Sequence, residues 1–516
     1  MTQNLSENSK RIAQNSIFLS IRMLLIMGIS LYTSRVILAA LGVEDYGIYN
    51  VVGGIVSLFA FINGAMSLTA QRYIAYELGQ GNGNQVRQVF STCVIIHGLI
   101  AALIFILAES IGLYLLEVHL TIPPERMHAA RWVYQFSILN CIVMTLCTPY
   151  NGAIVAYEKM QAFAYISLLE AVLRLVVAFI ITYRFSDKLI VYAFLLSLTQ
   201  LFVRMCYTLY CRLHIPTIRF SWDFNRSKFK QILGFSGWTL FNNASIIACG
   251  QGINILLNIF FNPAVNAARG IAVQVEMAVS SFSKNFQMAI NPQITKNYAL
   301  NDKVQFHSLV MASSKYAYFL MLLLSLPILL ETNYVLGLWL TSVPAYSVEF
   351  IRIILLISLV NTLSEALNAG VSATGKIKYF QIASGLLFIG VLPISFYLFK
   401  IWPHPLLVFG VYLTVSIVVY LYKLFYSVRN IELPFLTYLK KVLVRITAVT
   451  LVISLIATCL KPLLSVHSFA DFAGSVIVYA SLTLMIVFSL GLTKQEKHKV
   501  ICQLKKIIYW VNSGKG

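Results

Sequence analysis

Long apolar runs alternate with short polar connectors along nearly the whole chain, and the apolar runs are too long for soluble core helices. Taking about 20 apolar residues as one crossing of a bilayer, fourteen spans are expected. Their cores lie near 15–40, 48–70, 89–116, 132–155, 162–183, 189–211, 232–261, 265–290, 309–330, 350–372, 379–400, 405–428, 441–461 and 472–492. The pattern predicts an all-α integral membrane protein.

The arrangement between Ser34 and Gly83 is used twice. An apolar helix carrying Arg35 is expected to break at the acidic turn Leu41-Gly42-Val43-Glu44-Asp45, and a second helix from Ile48 to Ala70 to end in the polar run Gln71 to Asn84. About 220 residues later, Ile246 to Phe261 breaks at Asn262-Pro263, and Val265 to Ile290 leads into the polar run Asn291 to Lys303. A second pair of segments agrees: Asn151, Ala156 and Lys159 have the same residue types as Asn368, Ala373 and Lys376, each 217 positions on. Six spans per repeat give both halves the same orientation, as in transporters built from parallel repeats. The expected division is an N-terminal six-helix lobe (1–212), a linker (213–230), a C-terminal six-helix lobe (231–430), spans 13 and 14 (431–492) and a basic amphipathic tail (493–516).

Composition and charge sharpen this picture. Of 516 residues, 59% are hydrophobic and 11% charged, against roughly 25% charged in soluble proteins. The net charge of +20 is spread between apolar runs rather than gathered on one domain, so nucleic acid is excluded as the partner. Basic connectors (Arg72, Arg87, Lys159, Arg212, Arg226, Lys296, Lys376) alternate with connectors holding Asp45, Glu117, Asp187 and Asp471. The positive-inside rule places the basic side and both termini in the cytoplasm. The eight cysteines form no CxxC pair, which argues against a zinc site or a disulfide framework.

The LGVEDYGIYN turn, the exit SLTAQRYIAYELGQGN, the segment AARGIAVQV after an Asn-Pro turn and the NAGVSATGKIKYF junction resemble polysaccharide-transport and Wzx-like O-antigen flippases. These belong to the multidrug/oligosaccharidyl-lipid/polysaccharide exporter (MOP) superfamily, which also holds the MATE exporters and MurJ. The resemblance implies two six-helix bundles around a cavity that opens alternately to each side. It also implies an undecaprenyl-pyrophosphate-linked oligosaccharide as substrate, in O-antigen or capsule synthesis. Membrane lipids and the polysaccharide polymerase machinery are the implied partners, and the chain is expected to be a monomer. Spans 13 and 14, outside the repeat, could hold the lipid tail as in MurJ-like members.

Candidate chemistry lies in ionisable residues inside spans, each costing roughly 2.5–3.5 kcal/mol near the bilayer centre. A pyrophosphate head group needs a cationic, wet cleft, and the planar fork of arginine binds phosphate oxygens in pairs. Arg35 and Arg269 are the leading candidates for substrate binding, followed by Arg22, Arg174 and Arg204; snorkelling to the interface is the structural alternative. Glu170 and Arg174, spaced i, i+4, read as a local pair. Glu276, on the helical face of Arg269, reads as its counter-ion or an ion-coupling site. Glu365 reads as a proton- or ion-coupling group. Asn254 and Asn258, with Gln251, form a polar stripe suited to sugar hydroxyls; Asn63, Asn242 and Asn243 could line a cavity or pack helices.

Two further classes stand beside the flippase. A MATE-like ion-coupled exporter of small, often cationic, solutes would favour buried acids, whereas here arginines outnumber them. A membrane enzyme is disfavoured because no Ser/His/Asp, HExxH, Walker or GxGxxG arrangement occurs. No catalytic residue, metal or cofactor is expected.

Overall fold

A computed structural model describes residues 2–498, except 120–121, 184, 223–224, 262, 341–342 and 465. The Asn262 turn, the side chain of Asn63, Cys502 and the tail beyond His498, with its Val500, Leu504, Ile507, Ile508 and Val511 stripe, lie outside the described residues. Among those described, helices follow one another with no strand: α1 (Thr2–Gly79), α2 (Gly83–Leu107), α3 (Met127–Ala156), α4 (Met160–Ile180), α5 (Lys188–His214), α6 (Arg226–Phe260), α7 (Pro263–Ala299), α8 (Lys303–Leu330), α9 (Thr332–Trp339), α10 (Ser347–Thr374), α11 (Lys378–Ile401) and α12 (Leu407–Asn430). They are followed by α13 (Phe435–Leu460) and α14 (Phe469–Gly491).

Twelve of these helical stretches are long and apolar enough to cross a membrane. The other two expected spans are also helical: residues 48–70 lie in the second arm of α1, and 265–290 lie in α7, which is 37 residues long. Lipid leaves backbone polar groups no water to bond, so only closed backbone ladders cross it. Buried hydroxyls solve the same problem by donating to the carbonyl one turn back, as Thr145 does to Cys141 O (2.8 Å) and Thr362 to Ser358 O (2.8 Å). Leu99, Leu103 and Ile106 form an exposed apolar stripe on α2, the face expected toward lipid.

Three local expectations change. The acidic turn is only a kink: the helix breaks at Gly42 (φ 79°, ψ 170°), a backbone that glycine supplies cheaply, and resumes at once. The polar runs after Ala70 and Ile290 stay helical, to Gly79 and Ala299. The short helix α9 was not expected.

The described chain forms two compact units. Unit 1 comprises Met1–Ala244, Met288–Lys303 and Ser372–Ile382; unit 2 comprises Ser245–Gln287, Val304–Val371 and Ala383–Gly516. Within unit 1, α1 packs chiefly on α3 and α4, and α3 on α5. One core joins Phe90, Ile154, Val203 and Tyr207; another joins Val52, Ile104, Val133 and Tyr134.

Connectors expected on one side of the membrane meet one another. Arg126, before α3, bonds both carboxylate oxygens of Asp45 (2.8 and 2.6 Å) and both of Asp187 (2.9 and 3.2 Å). Asp187 also caps α5, accepting from Leu189 N (3.0 Å) and Ile190 N (3.3 Å). At the other end of unit 1, Lys228 pairs with Glu77 (3.2 Å). In unit 2, Thr493 and Glu496 form a capping box that opens the last described helix, and Lys315 of α8 donates to both Glu496 oxygens (2.7 and 2.6 Å).

Candidate functional site

In unit 1, two of the arginines singled out by sequence, Arg174 and Arg204, meet at Glu170, and a third, Arg22, bonds the same helix. Glu170 of α4 accepts from Arg174 (2.7 Å) and from Gln200 Nε2 of α5 (2.8 Å). Gln200 Oε1 in turn accepts from Arg204 (3.2 Å), whose guanidinium lies 3.9 Å from Glu170. Arg22 of α1 donates to Ser167 (3.4 Å) and covers the Phe163 ring at 4.9 Å. The Glu170–Arg174 pair is therefore the edge of a network that joins α4 to α5. Arg204, a substrate-binding candidate whose structural alternative was to snorkel, is 9% exposed, and its Nε is buried without a hydrogen bond. Two guanidinium groups, those of Arg174 and Arg204, share the one carboxylate, and Arg22 bonds Ser167 three residues before it, which leaves the group cationic.

Arg35 is not part of that cluster. It lines a cavity of about 510 Å³ with Tyr32, Val36, Ala39, Ala40, Thr182 and Lys188.

In unit 2, Arg269 lines a larger cavity of about 770 Å³ with Gly250, Gln251, Asn254, Asn266 and Gly270. Arg269 donates to Asn254 Oδ1 and to Gly250 O (2.9 Å), and Asn254 Nδ2 donates to Gln251 Oε1 (3.2 Å). Asn266 Oδ1 is buried there without a hydrogen bond. The structure thus brings Asn254 to Arg269; Asn258 does not line the cavity.

Glu276 is not the ion-pair partner of Arg269. The two are seven residues apart on one helix, an axial separation of about 10 Å, and Glu276 instead accepts from Ser358 of α10 (3.0 Å). Glu365 lies on an exposed face of α10, accepts from Asn368 (3.3 Å) and interacts electrostatically with Lys423 of α12. Lys423, 3% exposed, and Lys315, 2% exposed, are buried cations that the sequence reading passed over. A lysine inside an otherwise apolar span was the available signal.

Arg72 was read only as a connector charge. It is 8% exposed, donates to Ser372 O (3.1 Å) and Ala373 O (2.7 Å), and lies over the rings of Tyr73 (4.4 Å) and Tyr76 (5.0 Å). In the same unit Glu158 accepts from Gln293 Nε2 (2.7 Å) and from Lys296. No group of three or more His, Cys, Asp or Glu among the described residues could hold a metal ion.

A family model, MatE, matches residues 3–180, roughly a third of the chain. No curated protein matches. Among solved structures, one described as the outward-facing conformation of a multidrug resistance MATE family transporter of the MOP superfamily superposes with TM-score 0.69 at 14% identity. The match covers 82% of this chain and 96% of the other. A MATE structure in the bent conformation gives 0.71 at 14% identity, covering 82% and 96%. A MOP superfamily transporter from Pyrococcus furiosus, described as having a binding pocket of reverse polarity that suggests a different function, gives 0.67 at 15% identity, covering 82% and 96%. The chain has the fold of the MATE transporters of the MOP superfamily.

Proposed function

We propose that this protein is a flippase that translocates an undecaprenyl-pyrophosphate-linked oligosaccharide by alternating access of two six-helix lobes. The observation that carries the reading is the cationic balance of this network: Arg174 and Arg204 share the single carboxylate Glu170, and Arg22, bonded to Ser167 on the same helix, adds a third cation without adding an acid. A cluster of that sign repels small cations and suits a phosphate-bearing head group leaving water. Arg269 with Asn254 supplies a second cationic, amide-lined cavity fit for phosphate and sugar hydroxyls. The reading keeps both termini cytoplasmic, spans 13 and 14 as a hold for the lipid tail, and Glu276 and Glu365 as ion-coupling groups in a monomer.

A MATE-like exporter of small solutes is the second reading, and the shared fold favours it equally. Reconstitution separates the two. Proteoliposomes should move a fluorescent polyprenyl-pyrophosphate saccharide between leaflets and leave a cationic dye gradient untouched. Dye export without lipid translocation would overturn the proposal.

A further inference from the structure

The cavity beside Arg35 has an unusual charge pattern. Its two charged lining residues, Arg35 on α1 and Lys188 at the start of α5, are both cations, 153 positions apart in sequence, and no acid shares the lining. Glu44 is exposed and does not line the cavity, and the other acids near these two cations in the chain, Asp45 and Asp187, are already committed. Asp187 gives both oxygens to Arg126 and also caps the helix, while Asp45 gives both of its oxygens to the same guanidinium. Lys188 is left with one long contact, 3.4 Å to Ala40 O. Arg35 makes no hydrogen bond or ion pair with any described residue.

Two like charges facing one cavity repel each other unless something anionic lies between them. Tyr32, set against Phe179 with ring centroids 6.2 Å apart, adds a phenol to the rim. The Thr182 hydroxyl donates to Phe179 O (2.7 Å), so its proton is already used. The donors free to meet a ligand are therefore the guanidinium fork and the ammonium, one able to bind two oxygens of a phosphate and the other acting as a compact point charge.

We infer that Lys188 and Arg35 together form an anion site that takes a phosphate group carried by a lipid, with Lys188 as its second cation. This deepens the flippase reading and rests on it only for the choice of a pyrophosphate lipid over a bilayer phospholipid. Binding would bridge α1 to the start of α5 through the ligand, adding to the Lys188 to Ala40 contact and to the apolar cluster that holds Ile37, Tyr192 and Leu196.

The test uses the full chain purified in a neutral detergent, with apparent dissociation constants taken from ligand-dependent thermal shifts. The probes are farnesyl pyrophosphate, inorganic pyrophosphate and phosphatidylglycerol. Farnesyl pyrophosphate should stabilise the native chain, and Lys188→Gln and Arg35→Gln should each weaken its binding roughly tenfold, the cost of one charged hydrogen bond. Lys188→Arg should retain binding, which separates charge from a merely structural role. A response to phosphatidylglycerol that both glutamine variants weaken equally supports the site with a bilayer lipid as occupant, and would then count against the substrate assignment alone. A response to the two pyrophosphates and not to phosphatidylglycerol supports a substrate subsite. Unchanged affinity for every probe in both glutamine variants overturns the proposal, and leaves the flippase reading to stand on Arg204 and Arg269.

Discussion

Glu158 and Gly375, 217 positions apart, hold the same left-handed backbone, with φ of 60° and 76°. The offset is that of the sequence repeat, so the two turns after α3 and α10 are equivalent in shape as well as in place. Each is clasped by the exit of a helix from the other repeat. Gln293 and Lys296 of α7 reach Glu158, and Arg72 of α1 reaches the carbonyls of Ser372 and Ala373. Tyr76 and Tyr298, 222 positions apart, lie between the clasps with ring centroids 6.5 Å apart.

Gly375 is constrained twice, because its φ suits glycine and a Cβ would stand 2.9 Å from the Arg72 guanidinium. Gly375→Ala should lower stability by about 1–3 kcal/mol, read as a fall in midpoint temperature of the detergent-solubilised protein. Arg72→Ala should cost a similar amount. If the double variant loses no more than either single one, the strain acts through this contact.

Removing the acid from the arginine network should be worse than removing an arginine. Glu170→Gln leaves the Arg174 and Arg204 guanidinium groups without their shared carboxylate, and breaking a buried pair costs about 3–5 kcal/mol; the figure is discounted here because Arg174 is half exposed. Membrane protein level should fall in Glu170→Gln and recover in Glu170→Gln with Arg204→Gln. Equal levels in native and single variant would remove the network's structural role.

Head-group recognition by Arg269 predicts a split between charge and shape. Arg269→Gln should abolish or nearly abolish complementation of a flippase-null strain at normal membrane level, while Arg269→Lys should be intermediate because it keeps charge without the fork. Full complementation by Arg269→Gln would move the site to Arg22, Arg174 and Arg204.

Glu496 lies outside the spans. Burial alone would raise its carboxyl, but the hydrogen bonds from Lys315 and from Thr493 N–H hold it below the ordinary carboxylate range. A depressed folded pKa contributes stability above the unfolded value, and that contribution is lost as pH falls through the folded one. Thermal stability should therefore drop more steeply below about pH 4.5 in the native protein than in Glu496→Gln. Parallel curves would show that the pair contributes nothing.

Sequence periodicity was enough for the helices, because the cost of bare backbone in lipid leaves few alternatives to a long apolar helix. It was not enough for partners. Glu170 and Arg174 were legible as neighbours one turn apart, but Gln200 and Arg204 join them through the packing of α4 on α5, which no spacing encodes. The same limit explains Arg269 and Glu276: a shared helical face is not a shared contact across two turns. Arg72, Lys315 and Lys423 escaped because a charge near a span end reads as a connector or a snorkelling group until the other helices are in place.

Among the described residues, Arg126 is the one cation on which two acids from separate connectors converge in ion pairs. A knot of that kind makes the three segments mutually dependent in length: a residue inserted before Asp45 or before Asp187 would pull its carboxylate away from the same guanidinium. Epitopes or reporters meant to leave that end of the molecule intact therefore belong in segments outside the knot, such as the connector between α13 and α14.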